Sequence, residues 1–416
     1  MKWTNKGHEL DSVADRLAPK KYLYIYGAGE NGKYTYDRVK FLPTPVCFID
    51  GNPEKQRNGY LGCQVVSLEE ALRTEREELL VIVAVSNINR PNVVKILTVY
   101  GLREGEDFFD FQHFIDIYLP IYAAYRFNKV YYRGICFIPT RKCVLNCQDC
   151  LNFIPYVKEP DNDELEGMKQ DLNRLFSSID CLGILGLAGG EIFLHPQHKE
   201  LFRYIGENFR DQIATLSVTT SAALIPDDET FEIFQKYGFT IHVSDYRAAL
   251  PGIENNYHQF VKKLEEHQVE HVLFEDHEWV SLDVFRESPQ FDTESEAIGW
   301  FDACGIPWSY YKDGKLCQCT WAGMAVMSGA KEPCQTDYYD LTASTTPIVD
   351  RDGKTYFAFQ KDKCKELMEF GVGYSERGYV EMCGKCNGYL TINHHFVPPA
   401  VQIPRGNREK GSKNED

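Results

Sequence analysis

Cys143, Cys147 and Cys150 fall within one short stretch, Cys-Val-Leu-Asn-Cys-Gln-Asp-Cys, directly after the apolar run Gly134 to Pro139. No other feature constrains the chain as tightly. Three thiolates on one loop can hold three irons of a four-iron cubane, and cysteine-rich loops of this kind are the usual cradle for such a cluster. The fourth iron is then left without a protein ligand. An open coordination position is what separates catalytic from structural metal sites. Zinc is the competing reading. It favours CxxC pairs that close to four ligands, and this triplet has no nearby fourth Cys or His.

The chain has 416 residues, enough for two or three domains with sizeable cores. It carries 14 cysteines. No apolar run approaches the ~18 residues of a membrane span, and the start, MKWTNKGHELDSVADRLAPKK, holds acids and lacks the apolar core of a secretory signal. A cytoplasmic protein is expected. There the cysteines point to metal rather than to a disulfide framework. The formal net charge of -16 argues against a nucleic-acid partner, which would need a basic footprint. No membrane partner is expected either.

Residues 1–120 read as a Rossmann-like nucleotide-binding domain. The apolar strand Tyr22 to Tyr26 runs into Gly27-Ala-Gly29-Glu-Asn-Gly32 and then a helical stretch from Lys33. Glycines at 27, 29 and 32 permit the tight turn and the close approach of a phosphate to a helix N-terminus. The next strand, Val46 to Asp50, ends in an acid 18 residues after Gly32, about where a ribose-binding carboxylate would sit. Leu79 to Val85 is a further buried strand. A nucleotide or nucleotide sugar is the candidate ligand; the alternative is an empty pocket kept as a docking module.

From about 130 to 300 helical and strand patterns alternate, which implies parallel strands with active groups at their C-terminal ends. After Gly183–Leu187 comes Ala188-Gly189-Gly190-Glu191. The strand Ile213–Thr219 leads to Thr219-Thr220-Ser221, and Phe239–Val243 to Ser244-Asp245-Tyr246. Small residues let a ligand approach the backbone, and a carboxylate complements a cation. Hydroxyls at strand ends are also common turn formers. His242 reads as packing or support, and Cys136 and Cys181 as core. Beyond 301, Cys304 is followed by nine residues, Gly314, four more and Cys319, and later by Cys383-Gly-Lys-Cys386. A four-cysteine zinc site is chemically open at this composition. The stretch 401–416, polar and mixed in charge from Gly406, reads as a disordered tail.

The x3-x2 cysteine spacing resembles the cluster motif of the radical S-adenosylmethionine (SAM) enzymes, and Gly189-Gly190-Glu191 matches that family's GGE motif. The resemblance implies a partial, open TIM-type barrel over 130–300. Its cofactors would be a 4Fe-4S cluster on Cys143, Cys147 and Cys150, and SAM chelated to the open iron. Reductive cleavage then gives a 5'-deoxyadenosyl radical that abstracts hydrogen from substrate. Gly189, Gly190 and Glu191 would hold the SAM ammonium; Thr219, Ser221 and Ser244 are candidate contacts to SAM, its ribose or substrate. Asp149 departs from the family, which often has an aromatic residue before the last cysteine, so an adenine contact would come from elsewhere, with Phe153 the candidate. The C-terminal order resembles the twitch domain, the shorter relative of SPASM, over 301–400. It implies Cys304, Cys319, Cys383 and Cys386 as ligands of an auxiliary 4Fe-4S cluster, with Cys317 or Cys364 able to replace one of them and Cys334 free. The front segment looks like small nucleotide-binding domains of bacterial sugar-modifying and surface-polysaccharide proteins. Together these imply a radical SAM oxidoreductase acting on a small polar metabolite, a sugar or nucleotide-linked sugar. Asp245 and Tyr246 are candidate proton acceptors, and a flavodoxin- or ferredoxin-like protein the electron donor. A peptide maturase and a non-catalytic, nucleotide-responsive iron-sulfur protein are the alternatives.

Overall fold

The computed structural model describes residues 1–275, 277–285, 290–306, 308–353 and 355–405. The chain is α/β. Its front unit is a five-stranded sheet of β1 (Tyr22–Tyr26), β2 (Val46–Ile49), β3 (Val65–Val66), β4 (Leu79–Val83) and β5 (Phe108–Asp110), in the order β3-β2-β1-β4-β5. Every pairing is parallel. All five residues of β4 are buried, as a strand covered on both faces requires. The strand order reverses between β1 and β4, where sheets of this type open a crevice for ligands.

The second sheet is built from β6 (Tyr131–Tyr132), β7 (Ile135–Phe137), β8 (Cys181–Leu187), β9 (Ile213–Thr220), β10 (Phe239–Ser244) and β11 (Glu270–Phe274), with neighbours paired in parallel. Helices at Leu165–Ser178, His198–Asn208, Asp228–Tyr237 and Glu254–Glu266 connect these strands. Local sequence sets their limits. Asp227 caps one by accepting from the amide of Thr230, and Gly238, at φ +63°, ends it in the left-handed region. Alternation then sorts the strands: Leu185, Leu187, Leu216, Val218, Ile241 and Val243 share a core with Phe202, Phe231, Phe234 and Phe260 of the helices. Cys136 and Ile138 face a second core with Phe153 and Tyr310.

Later strands are β12 (Trp279–Val280), β13 (Ser309–Lys312), β14 (Lys315–Cys317), β15 (Tyr338–Asp340), the hairpin of β16 (Thr345–Val349) and β17 (Thr355–Phe359), and β18 (Phe396–Val397). Strand alternation in the sequence did not reveal where β13 goes. It joins β7 in parallel, with Ser309 opposite Ile135 and Tyr310 opposite Cys136, so the sheet runs β11-β10-β9-β8-β7-β13-β14-β15. The cysteine-rich C-terminal segment is thus continuous with the sheet that carries the cysteine loop.

Two contacts fix the front unit. Arg38, 2% exposed on the helix Glu30–Val39, donates through Nη2 to the carbonyl of Gly183 (3.1 Å) and to Thr215 Oγ1 (3.0 Å), near the starts of β8 and β9. The front unit therefore sits against the strand starts, opposite the strand ends. Residues 3–9 strap over the C-terminal segment: Trp3 N donates to Ser375 O (2.8 Å), and Gly7 N and Glu9 N donate to the Glu369 carboxylate (2.7 and 2.8 Å). Among the described residues no helix is long and apolar enough to cross a membrane.

The stretch expected as a tail from 401 begins as structure. Gln148 N donates to Val401 O (2.7 Å), Ile403 N to Asn146 O (3.0 Å), and Gln402 bridges to Cys147. The boundary at 401 fell too early because these residues satisfy their backbone groups on another loop rather than in water. Residues 406–416 lie outside the described residues.

Candidate active site at the strand ends

Parallel pairing brings the ends of β7 to β11 to one edge. Phe137 is level with Leu187, Leu187 with Val218, Thr220 with Val243, and Ser244 with Phe274. The cysteine loop and the Gly-Gly-Glu turn leave adjacent strands and then bond to each other. Gly190 N donates to Thr140 O (3.1 Å) and Glu191 N to Lys142 O (2.7 Å); Asn152 Nδ2 donates to Gly189 O (2.5 Å). The approach is close enough to dictate residue type. A β-carbon on Gly189 would lie 2.7 Å from Thr140 O, and one on Gly190 2.1 Å from Lys142 O. These are glycines because another backbone occupies the space.

Glu191 is 1% exposed. Its carboxylate accepts from Thr220 Oγ1 (2.9 and 3.0 Å) and from Ser221 Oγ (3.1 Å). Burial pushes its pKa up, against the pull of these hydroxyls and of the Ser221 and Phe193 amides. Among the described residues no Lys, Arg or His forms an ion pair with it. Ser221, expected to face a ligand, is thus already given to Glu191. Buried Thr220, rather than half-buried Thr219, shares that carboxylate.

Each thiol of the cysteine loop has a donor. Leu145 N donates to Cys143 Sγ (3.4 Å), Gln402 Nε2 to Cys147 Sγ (3.1 Å), and the amides of Asn152, Phe153 and Ile154 serve Cys150. Burial raises Cys143 to about 12, with Glu191 and the other two thiols adding to it, and raises Cys147 to about 11. As thiols they are neutral; a bound metal would deprotonate them. Three sulfurs, each with an N–H donor, fit an iron-sulfur group, whose thiolates take such hydrogen bonds. Phe153, at φ +55° and 5% exposed, is buried in the apolar cluster beside Tyr156, so its ring supports the loop.

At the fourth strand end Asp245 is engaged by Arg247. Its oxygens accept from Arg247 Nε (2.9 Å) and Nη2 (2.7 Å), and this pairing holds its pKa below the usual carboxylate range. A carboxylate so committed is a weak base. Tyr246 stands edge-on to Trp279, ring centres 5.4 Å apart. Ser244 is 9% exposed at the end of β10, and His242 packs edge-on against Phe274.

In the C-terminal segment Cys319 lies within electrostatic reach of Cys317, Cys383 and Cys386, and Cys383 of Cys386 and Cys304. Tyr389 N donates to Cys304 Sγ (3.3 Å), Gly388 N to Cys386 Sγ (3.3 Å) and Ala322 N to Cys319 Sγ (3.4 Å). With the Val380 amide serving Cys383, these four thiols each have a backbone donor. Cys317 is raised by Asp337 and Cys334 beyond the effect of its burial. Cys364 lies in the other core. Cys334 contacts Thr336 and Arg377. Among the described residues no group of three or more His, Cys, Asp or Glu side chains is drawn together as a single-ion cage.

In the front unit Gly27, at φ +115°, abuts Ala84 O, and a β-carbon on Gly32 would fall 2.0 Å from Gly27 O, whereas one on Gly29 would meet nothing within 4 Å. Asp50 braces this turn. It accepts from Ala28 N (3.0 Å), Asn52 N (2.9 Å) and Lys55 Nζ (3.2 Å), and these donors outweigh burial and lower its pKa. A ribose hydroxyl would share that carboxylate with Lys55.

The sequence motifs did not reveal Asn152, Thr220, Gln402 or Arg141, whose Nη2 bonds Asp163 at 2.7 Å and whose Nε bonds Asp161, tying the start of the cysteine loop to its return. Thr220 alone had a local signal, its place beside Ser221.

No known family profile matches the chain, and no curated protein is similar to it. Among solved structures it is similar to BtrN in complex with AdoMet and 2-DOIA, at 13% identity over 62% of this chain and 93% of that one, TM-score 0.39. Native anSMEcpe with bound AdoMet and Kp18Cys peptide matches at 16% identity over 34% of this chain and 42% of its own, TM-score 0.28. Streptococcus suis SuiB bound to S-adenosylmethionine matches at 18% identity over 37% and 34%, TM-score 0.28. The chain thus spans less than half the length of the last two. Overlaps this shallow carry no inference about chemistry.

Proposed function

We propose that this chain is a radical SAM enzyme whose reaction takes place at the ends of β7 to β11. One observation carries the reading: Glu191, buried on the loop bonded to the cysteine segment, receives hydrogen bonds from the neutral hydroxyls of Thr220 and Ser221. A buried carboxylate without a cation is costly, and the ammonium of SAM supplies one. Cys143, Cys147 and Cys150 would hold the 4Fe-4S cluster, which with SAM supplies one-electron, hydrogen-abstracting chemistry. The chain's own part is positional. Gly189 and Gly190 bring backbone close to the loop, Gln402 and the loop amides neutralise sulfur charge, and Phe153 and Tyr156 keep water from the loop's inner side.

The substrate class is a sugar or nucleotide-linked sugar undergoing oxidation. Its support is the front unit, where Gly29 leaves open space in the turn after β1 and Asp50 stands at the end of the next strand. Cys304, Cys319, Cys383 and Cys386 would hold the auxiliary cluster. Asp245, paired with Arg247 at the end of β10, and Tyr246 are the candidate proton acceptors.

Anaerobic incubation of reconstituted protein with SAM, a strong reductant and candidate nucleotide sugars, read by mass spectrometry, tests this. 5'-Deoxyadenosine should form in the wild type and not in Cys143→Ala. No 5'-deoxyadenosine from iron-replete protein overturns the radical SAM reading; its formation beside unaltered sugars overturns the substrate class alone.

A further inference from the structure

β9, β10 and β11 carry no Lys or Arg, and their one acid, Glu270, stands at the start of β11, the edge strand of the second sheet. Alternation divides their side chains. Leu216, Val218, Ile241 and Val243 belong to the core beneath the helices, so Ser217, Thr219, His242 and Ser244 face the opposite, inner side. Gly186 on β8 agrees: a β-carbon there would lie 3.8 Å from both Ser217 Oγ and the Trp308 ring, so Trp308 covers the inner face over β8. Toward the edge this cover thins. Val272 and Phe274 of β11, level with His242 and Ser244, are 41% and 42% exposed.

Three polar side chains on this strip have no hydrogen-bond partner among the described residues. Thr219 and His242 are level with each other and half-buried, and Ser244 is 9% exposed. None of them belongs to the partnerless polar atoms that the interior seals off, so each keeps surface that a ligand can reach. Their neighbours Thr220 and Ser221 differ, since those hydroxyls are given to Glu191. A histidine kept for packing buries its ring nitrogens or pairs them, and His242 does neither. Phe274 stands edge-on to its ring, centres 5.4 Å apart, and restrains it. Burial lowers the His242 pKa against the pull of Glu270, which leaves a neutral ring with one donor and one acceptor nitrogen. Arg247, beyond the end of β10, is held by Asp245.

Neutral hydroxyls and a neutral imidazole beside an open phenyl ring suit a ligand with hydroxyls on its rim and C–H groups on its face. A charged group would find no counter-ion on the strip. We propose that the inner face of β9 to β11 binds an uncharged polyhydroxylated ring, its hydroxyls bonding to His242, Thr219 and Ser244 and its C–H face lying on Phe274. The inference rests on the strand ends being the reaction site and on the sugar substrate class, and it names the part of that substrate which must be neutral.

The test is saturation-transfer NMR on the full chain with D-glucose as the neutral ring and D-glucuronate as its charged counterpart. D-Glucose should receive transfer at its C–H protons, and D-glucuronate should bind about tenfold more weakly. His242→Phe, which keeps a flat ring and removes both nitrogens, should weaken D-glucose about tenfold, as the loss of one or two hydrogen bonds does. Phe274→Ala, at an exposed position, should also weaken it and serves as the second variant if the first does not fold. No transfer to D-glucose at millimolar concentration, equal binding of D-glucuronate, or unchanged affinity in either folded variant would overturn the proposal. The measurement needs neither iron nor turnover, so its failure stands apart from a failure to form 5'-deoxyadenosine, which sinks the radical SAM reading instead.

Discussion

The two cysteine groups are built on opposite plans. At the strand ends three thiols come from one short loop, and the groups that complete the site reach in from elsewhere: Glu191 from the next strand and Gln402 from 255 residues away. In the C-terminal segment four thiols arrive from three separate stretches, around Cys304, Cys319 and Cys383–Cys386. The first group holds its spacing by local sequence and, in the proposed reading, leaves one side open. The second exists only where tertiary structure assembles it. A site that must change ligands needs the first plan, and one that must only hold needs the second.

The largest test separates the groups outright. Cys143→Ala/Cys147→Ala/Cys150→Ala should lose about four of about eight irons per chain and all SAM cleavage, with the remaining iron unchanged in its spectrum. Cys383→Ala should do the reverse and spare the strand-end iron. If either change empties both groups, the comparison fails, because the groups would then fold as one.

Dependence on tertiary structure also has a pH signature. Asp171 on the helix Leu165–Ser178 accepts from Asp313 N (2.8 Å) and Gly314 N (3.0 Å), holding the β13–β14 turn that lies between Cys304 and Cys319. Burial raises its pKa to about 6, against the pull of those amides. Folding therefore favours the protonated acid. The stabilisation is present in full below about pH 4 and is lost as pH rises through about 6, a change of up to ~3 kcal/mol. Protection of the Asp313 and Gly314 amides, taken relative to their intrinsic exchange at each pH, should fall across that window, while protection in the cysteine loop should not. Asp171→Asn should flatten the dependence; a slope that survives it assigns the effect to another group.

Glu191→Gln probes the open side. Removing the charge but not the shape should weaken SAM binding by ~1.5 to 3 kcal/mol, the range for a charged hydrogen bond, with iron content unchanged. Calorimetry on the reconstituted protein reads it. Equal affinity in the variant would mean that Glu191 serves Thr220 and Ser221 alone.

How much the sequence disclosed follows the same division. The cysteine loop, Gly189–Glu191 and the strands before them were legible because turn chemistry and alternation are local. Asn152 escaped because it acts through loop geometry that the strand pattern does not encode. β13 was unreadable as a neighbour of β7, since Ser-Tyr-Tyr-Lys shows no alternation and its partner lies more than 170 residues earlier. The stretch 401–405 looked like tail because its only apolar residues are Val401 and Ile403 and its bonds are to another loop. Asp50 and Asp245 were legible as acids at strand ends, but not as acids already engaged by Lys55 and Arg247.

The smallest effect concerns the reach from Gln402. Its Nε2 donates to Cys147 Sγ at 3.1 Å while its Oε1 accepts from Asn146 N at 2.7 Å, so one side chain both holds the loop and offsets charge on the sulfur. Gln402→Leu keeps the bulk and removes both bonds, each worth about 0.5–1.5 kcal/mol net. The loop should loosen without emptying, because the backbone pairs of Gln148 with Val401 and Ile403 with Asn146 remain. Strand-end iron should therefore be lost to air or chelator a few-fold faster, and a metal group there should become harder to reduce, since hydrogen bonds to sulfur raise cluster potentials. The C-terminal group, whose sulfurs are served by neighbouring amides such as those of Ala322, Gly388 and Tyr389, should keep its iron at the original rate. Equal acceleration at both groups would remove the distinction between a loop completed from afar and a site closed by its own cysteines.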